Sequence, residues 1–310
     1  MFKNKDYVLA ICKEGSFTKA AERLFVSQPS LSATVKRLEE RIGCPIFDRS
    51  SSPVTLTEVG KKYVECARAI EQKEAEFMLF SSDYQNLLQG KIRLGGTSFF
   101  SSFILPEMIS SFNKQHPKIE LEIRESGSRA LKATLLSGDL DIIIDNSDEE
   151  EENITKHLYS RERLLLAVPN GFVVDRCFDA IRLSFEDVVN EKHQWESAGI
   201  PLDALKRYPF ILQSSDNDTG SRAEKLLKKY RVDPKILFHL DQQITAYNVC
   251  VGGLGITFAS DTLIKKIGKK EGVSYYKIDD PLADRNVYLC HKKNHYLSLA
   301  AKKFIEYNTK

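Results

Sequence analysis

The chain lacks the features by which most enzymes and membrane proteins announce themselves. No apolar run approaches the roughly 20 residues that span a membrane. The first residues show no signal-peptide pattern, so the expected compartment is the bacterial cytoplasm, with no membrane partner. Six histidines and six cysteines are scattered among 310 residues. They form no HExxH, no CxxC and no Cys/His ligand spacing, so no metal is expected. No serine stands in a GxSxG elbow. Without a catalytic constellation, neither an enzyme nor a cofactor is expected. Net charge is also scarce, at +2. Residues 1–60 hold nine Lys plus Arg against seven Asp plus Glu, again +2. Bulk attraction to nucleic acid is therefore excluded, and any DNA affinity must come from placed groups and from repeated copies of them.

The informative stretch is Ala20 to Glu39, AAERLFVSQPSLSATVKRLE. Ala20, Ala21, Leu24 and Phe25 fall at helical spacing on one apolar face, and a first helix ends near Val26. Ser27 is suited to cap a second helix, and Pro29 is tolerated in its first turn. Leu31, Val35, Leu38 and Ile42 then repeat at three-to-four spacing and face inward. Gln28, Ser30, Ser32, Thr34, Lys36 and Arg37 are left facing out. A glutamine amide can pair with adenine N6 and N7, Ser and Thr with base edges or phosphates, and Lys36 and Arg37 with phosphates. The plainer alternative is a solvated face on a helical hairpin.

Gly43 marks the helix end. Pro45-Ile46-Phe47, a loop at Asp48 to Pro53 and a strand at Val54-Thr55-Leu56 extend the pattern to a winged helix-turn-helix. Arg49, at the wing base, is placed to reach a phosphate or minor groove, or else to pair with Asp48 or Glu58. On these residues, with Phe17, Ser27-Gln28-Pro29-Ser30-Leu31-Ser32, Leu38-Glu39, Ile46-Phe47, Arg49, Leu56-Thr57 and Gly60, residues 1–60 resemble the DNA-binding domain of LysR-type transcriptional regulators. The resemblance implies that Ser27, Gln28, Pro29, Ser30, Ser32, Thr34, Lys36, Arg37 and Arg49 meet double-stranded DNA. The wing departs from the family: Ser50-Ser51-Ser52-Pro53-Val54-Thr55 replaces its usual arginines, which predicts a shallower salt dependence.

Thr57 is expected to cap a long helix running to about Leu88. Tyr63, Ile70, Phe77 and Tyr84 recur every seven residues. Cys66, Phe80 and Leu87 fall three after three of them, and Lys73 interrupts the second set. This is a heptad seam with one polar defect. An identical helix would cover it and hold two recognition helices for two half-sites; packing on its own domain is the alternative. The helix resembles the dimerising linker of the same family, which implies a homodimer or homotetramer.

From Lys91 onward, strands alternate with helices. Strands are expected at 91–96, 119–123, 140–144, 164–168, 210–213, 236–239 and 256–259, with helices leading through about 115 and at 130–136, 219–230 and 242–251. The fold class is α/β, a parallel sheet with crossovers divided into two lobes around a cleft. Ligands sit beyond the carboxyl ends of such strands. Thr97-Ser98, Ser126-Gly127-Ser128 and Gln213-Ser214-Ser215 lie there, with Asn217 to Gly220 behind. Phe99, Phe100 and Phe103 are candidate apolar walls. Gly252-Gly253-Leu254-Gly255 follows a helix and precedes a strand, the reverse of a dinucleotide-binding turn.

Residues 91–310 resemble the LysR-family effector-binding domain, which has the fold of periplasmic binding proteins. The expected domains are therefore 1–60, 61–90 and 91–310, with lobe 1 at about 91–163 and 266–310 and lobe 2 at about 164–265. The resemblance places Ser98, Ser128 and Asn146 in the pocket of a small-molecule effector. The full candidate set is Thr97, Ser98, Phe99, Phe100, Ser128, Asn146, Gln213 and Thr219. Some relatives sense peroxide through a cysteine pair; Cys177 and Cys250 do not have that separation, and the six cysteines read as small hydrophobes. Two departures stand out. The run Asp148 to Glu152, with Asp145, makes an acidic rim that either admits a positive group or is a solvated loop. The 171–208 segment, including Trp195, is longer than the family's connection and either covers the cleft or forms an interface. The expected function is effector-controlled transcriptional regulation; the alternative is a ligand-independent architectural DNA-binding protein.

Overall fold

A computed structural model describes residues 1–50, 53–85, 90–195 and 198–309, and the chain forms two compact units, Met1–Ser81 and Ser82–Lys310. Ser51, Ser52 and Leu87, and the side chains of Tyr84 and Trp195, lie outside the described residues.

The first unit opens with α1 (Lys5–Glu14), α2 (Phe17–Arg23) and α3 (Gln28–Ile42). Ser16 caps α2 by accepting from the Lys19 N–H, and Ser27 caps α3 by accepting from the Ser30 N–H. The helix α2 ends earlier than expected. Phe25 adopts a left-handed φ of 54° and is 95% exposed, so it leaves the apolar face assigned to it. Ala20 and Ala21 are buried, as their small size requires where helices cross. Leu31, Val35 and Leu38 form the inner face of α3. A hairpin of β1 (Phe47–Asp48) and β2 (Thr55–Leu56) follows.

Next comes α4 (Glu58–Gln85), whose 28 residues extend about 42 Å. Thr57 caps it, accepting from the Gly60 N–H at 3.0 Å. Gly60 is required by closeness: a Cβ there would lie 2.0 Å from the Ile46 carbonyl oxygen. Tyr63, expected in the heptad seam, is instead buried with Val64 and Ala67 in the core of this unit and stacks on Phe2 at 4.8 Å. The exposed apolar stripe begins later, with Ile70 half-buried and Phe77, Met78 and Phe80 exposed.

In the second unit, β3 (Gly90–Gly96) leads through a π-helical turn at Phe100–Ile104 into α5 (Leu105–Gln115). Then come β4 (Ile119–Glu125), α6 (Ser128–Ser137) and β5 (Ile142–Asp145). The 16-residue β6 (Ile154–Pro169) crosses between the lobes. The 171–208 stretch carries α7 (Phe185–Val189) and α8 (Lys192–Trp195). After it come β7 (Phe210–Gln213), α9 (Asp218–Lys229), β8 (Ile236–Leu240), α10 (Gln243–Val251), β9 (Thr257–Ser260), α11 (Asp261–Ile267), β10 (Val273–Lys277), β11 (Asp284–Lys292) and α12 (Leu299–Asn308).

Strand β3 pairs in parallel with β4 and β5, and β7 with β8, as crossover helices dictate. The expected all-parallel sheet is corrected to a mixed one, because β11, β9 and β10 run antiparallel to β6. The first half of β6 pairs with β11 and the second with β9 and β10. Strand β10 therefore joins the second lobe, and the return crossing falls after Lys277, not at residue 266.

The long 171–208 stretch packs on the second lobe. Ile200, Leu202 and Leu205 enter its core, and Leu183 exchanges backbone hydrogen bonds with Tyr275. His193 is buried with Nε2 3.1 Å from an Asp261 carboxylate oxygen. Burial of each such aliphatic side chain contributes about 1.5–3 kcal/mol, enough to make the segment part of the fold.

Candidate functional site

The outer surface of α3 begins at its N-terminus. Ser27, Gln28, Pro29 and Ser30 are exposed there, and the first-turn N–H groups leave a positive end suited to an anion. Gln28 is the first helical residue and its amide has no protein partner among the described residues. Lys36 and Arg37 are exposed a little over two turns on. Ser32 and Thr34 are half-buried. Thr34 is committed to its own helix, donating to the Ser30 carbonyl at 2.9 Å and accepting from Arg37 at 3.4 Å. Arg49 pairs with neither Asp48 nor Glu58. It donates to Glu39 at 2.9 Å and lies 4.9 Å from the Phe17 ring centroid, which fixes the base of the wing.

In the second unit, a cavity of about 490 Å³ opens between the lobes. Thr97, Phe99 and Phe100 line it where β3 gives way to helix. Gly127, Ser128, Arg129, Ala130 and Ala133 bring the start of α6, and Asn146 follows β5. From the second lobe come Gln213 and Ser214 beyond β7, Asp216 to Thr219 at the start of α9, and Asp241 to Gln243 at the start of α10. Strand ends and helix N-termini from both lobes thus face one space. Gly220 allows the tight fit of α9, since a Cβ there would lie 2.2 Å from the Ser214 carbonyl oxygen.

The fold brings Thr97, Phe99, Phe100, Ser128, Asn146, Gln213 and Thr219 together and leaves Ser98 aside. The Ser98 hydroxyl donates to Glu125, the last residue of β4, and Ser98 does not line the cavity. The backbone turn that places Thr97 and Phe99 at the cleft directs the residue between them elsewhere. Phe103 stands behind Phe99, 5.8 Å between ring centroids, and does not line the cavity. The described residues of 171–208 do not line it either, so that segment is no cover for the cleft.

Charges at the cleft are mutually engaged. Arg129 pairs with Asp216 at 2.8 Å across the two lobes. Both partners are largely exposed, so the pair adds little stability. Asp218 accepts from Arg222 Nε at 2.8 Å and Arg285 Nη1 at 3.0 Å. In the acidic rim Lys132 pairs with Asp145 and Glu151, and Arg222 with Asp148, while Glu149, Glu150 and Glu152 are exposed. Asp148 accepts from Arg222 and from the Tyr288 hydroxyl, and Lys156 donates to the carbonyls of Ser147 and Glu149. Burial raises the carboxyl pKa of Asp145, with Lys132 at 3.4 Å opposing that shift.

The expectation of six buried cysteines holds only for Cys250 and Cys290; Cys12 and Cys66 are half-buried, and Cys44 and Cys177 are exposed. Cys250 donates to the Ala167 carbonyl, and burial pushes its thiol up to about 12. Among the described residues there is no group of side chains able to hold a metal ion, and no helix is long and apolar enough to cross a membrane.

Arg129, Asp241, Gln242 and Gln243 are cleft residues that sequence reading missed. The signal for Gln242-Gln243 was present, a strand followed by a helix start, as at Thr97. Nothing in the sequence pointed to Arg285 or to its partner Glu162, which lie 123 positions apart.

Residues 3–61 match the bacterial regulatory helix-turn-helix protein of the lysR family, and residues 85–309 match the LysR substrate binding domain. The chain belongs to the LysR family of transcriptional regulators. It is 26% identical over 304 residues to the uncharacterized HTH-type transcriptional regulator YcgK of Bacillus subtilis, covering 98% of this chain and 92% of that protein. Its fold is similar to full-length CbnR solved with its target DNA, at TM-score 0.64 and 16% identity, covering 99% and 98% of the two chains. It is similar also to the Synechocystis CcmR regulatory domain in complex with 2-PG, at TM-score 0.58 and 18% identity, over 71% of this chain and 96% of that one. The chain is thus a LysR-type DNA-binding transcriptional regulator with an effector-binding domain.

Proposed function

We propose that this LysR-type regulator reads bases with the exposed start of α3 and is switched by a small molecule held between its two lobes. The observation that carries the reading is the convergence of Thr97, Phe99, Phe100, Ser128, Asn146, Gln213 and Thr219, from both lobes, on one cavity of about 490 Å³. A pocket of this size, with aromatic walls and a few polar groups, suits a small metabolite. The solved complexes of CbnR with DNA and of CcmR with 2-PG support the two halves of the reading by analogy of fold.

In this reading residues 1–60 bind DNA, 61–90 dimerise and 91–310 bind the effector, in the cytoplasm. Gln28 contacts a base edge, while Ser27, Pro29, Ser30, Ser32, Thr34, Lys36, Arg37 and Arg49 position the helix and wing on the phosphates. Ser27, Thr34 and Arg49 act chiefly by shaping that surface, since each is engaged within the protein. Effector binding favours one angle between the lobes, and the change is carried through α4 to paired DNA-binding heads.

Footprinting the full chain on its own upstream DNA tests the first half; two related contacts in neighbouring major grooves are expected. Thermal unfolding with fractionated metabolite pools tests the second, because a ligand of the native state raises stability. Stabilisation by no fraction would leave a ligand-independent DNA-binding protein.

A further inference from the structure

A ligand class can be assigned to the cleft only if the cleft holds a ligand, so the assignment rests on the function proposed for it. Glu162 of β6 and Arg285 of β11 are opposite each other in the strand ladder. They stand where β6 leaves β11 and begins to pair with β9 and β10. They are 4% and 3% exposed, with Arg285 Nε 2.7 Å from Glu162 Oε1. A guanidinium only donates and an ionised carboxylate only accepts. The pair therefore dictates how its neighbours are oriented.

Arg285 Nη1 donates to the Thr219 hydroxyl at 2.7 Å. The lone pair of Thr219 is thereby turned toward the hinge strands. Its own proton points elsewhere and meets no acceptor among the described residues. Thr219 is buried against the cleft it lines, so that proton is available to a ligand. On the other lobe, Asn146 Nδ2 reaches Glu162 Oε1 at 3.5 Å. Facing a carboxylate, the amide presents nitrogen, and Oδ1 is left without a donor among the described residues. Asn146 lines the same cleft.

We infer that Glu162 and Arg285 are positioning residues that fix Thr219 as a donor and Asn146 as an acceptor, and so select a small acid bearing a hydroxyl or amino group next to its carboxyl. The carboxylate accepts from Thr219 while the neighbouring hydroxyl or amino group donates to Asn146. Both contacts hang from one ion pair and open on one cavity, so one small ligand can serve both. The negative charge is met by N–H groups at the starts of α9, on which Thr219 lies, and α6, where Gly127 supplies no side-chain cap.

The test titrates the full chain with matched acids and follows thermal unfolding. Malate and aspartate are set against succinate, lactate and alanine against propionate, and 2-hydroxyglutarate and glutamate against glutarate. At least one substituted acid is expected to bind about tenfold or more tighter than its parent, because the parent leaves Asn146 unpaired. The hydroxy and amino arms identify the donor. Thr219→Val should weaken parent and substituted acids alike by about tenfold, and Thr219→Ser should keep the binding of both. Glu162→Gln, which frees Asn146 to turn, should flatten the ratio between substituted and parent acid, a ratio that a loss of fold stability alone does not move. Equal binding of parents and substituted acids, acid binding unmoved by Thr219→Val, or a ratio that survives Glu162→Gln, overturns the inference. If a metabolite fraction stabilises the chain and none of these acids does, the ligand class is wrong while the cleft reading stands; stabilisation by neither removes both.

Discussion

Arg49 Nη2 donates to Glu39 Oε2 at 2.9 Å, while Glu39 Oε1 accepts the backbone N–H groups of Ile46 and Phe47 at 2.8 and 3.2 Å. One carboxylate on α3 thus holds both the entry to the wing and the arginine at its base. Glu39→Ala should cost about 2–3 kcal/mol, since two backbone donors and a cation lose their acceptor together. Glu39→Gln keeps one oxygen and should cost about 1 kcal/mol. Urea unfolding of the full chain measures both, and equal midpoints for the two variants and the parent would contradict this role.

Base reading by Gln28 has a separate signature. Gln28→Ala should weaken binding to the specific site by about 1–3 kcal/mol with little effect on random DNA. Lys36→Gln should instead weaken both and reduce the salt slope by about 1. Anisotropy titrations on both DNAs at several salt concentrations separate them; equal losses for Gln28→Ala on both DNAs would remove its base contact.

Ser98 and Ser128 should behave differently. Ser98 is held by Glu125 outside the cavity, so Ser98→Ala should leave the effector response unchanged. Ser128→Ala, at the first turn of α6 and on the cavity wall, should reduce effector affinity about tenfold, the value of a lost hydrogen bond to a charged group. An effector-dependent thermal shift compares the two, and the opposite order would return Ser98 to the site.

His157 and His291 stack at 5.2 Å between ring centroids. Burial lowers the pKa of both imidazoles below the ordinary histidine value. The unfolded chain therefore binds more protons between the depressed values and the ordinary one of about 6.5, and stability is full above that range and lost as pH falls through it. The melting temperature should drop as the pH falls below about 6.5, and His157→Phe, which keeps a ring in the stack, should flatten the drop. Identical slopes for parent and variant would assign the pH dependence to other groups.

The exposed stripe on α4 predicts association. Phe77 and Met78 are each 68% exposed, and they line a shallow groove with Ile70 and Lys73. Phe77→Glu should shift the oligomer toward monomer by placing a charge in an apolar seam. Sedimentation at working concentration reads this, and an unchanged assembly would move the dimer contact off this helix.

The helix-turn-helix was legible because its determinants are local. Ser27 caps the helix it precedes, Leu31, Val35 and Leu38 repeat along one face, and Gly43 ends it with a left-handed φ of 81°. The failures came where a long-range contact overrode a local period. Tyr63 fits the heptad as well as Phe77 does, yet its ring is drawn into the first unit by Phe2, far away in sequence. Phe25 keeps helical spacing but falls two residues beyond the helix end at Arg23. Ser98 stands between two cleft residues and is turned away by a carboxylate on the next strand.

By itself, the sequence determined the winged head, the long helix, the alternation of strands and helices, and most of the residues that line the cleft. These follow from caps, periods and strand ends, which act over a few residues. Tertiary structure alone decided which half of β6 serves which lobe, that the 171–208 stretch completes a core instead of covering the cleft, and that Glu162 meets Arg285. A buried guanidinium needs a carboxylate within hydrogen-bond reach, and only the folded ladder brings together two groups so distant along the chain.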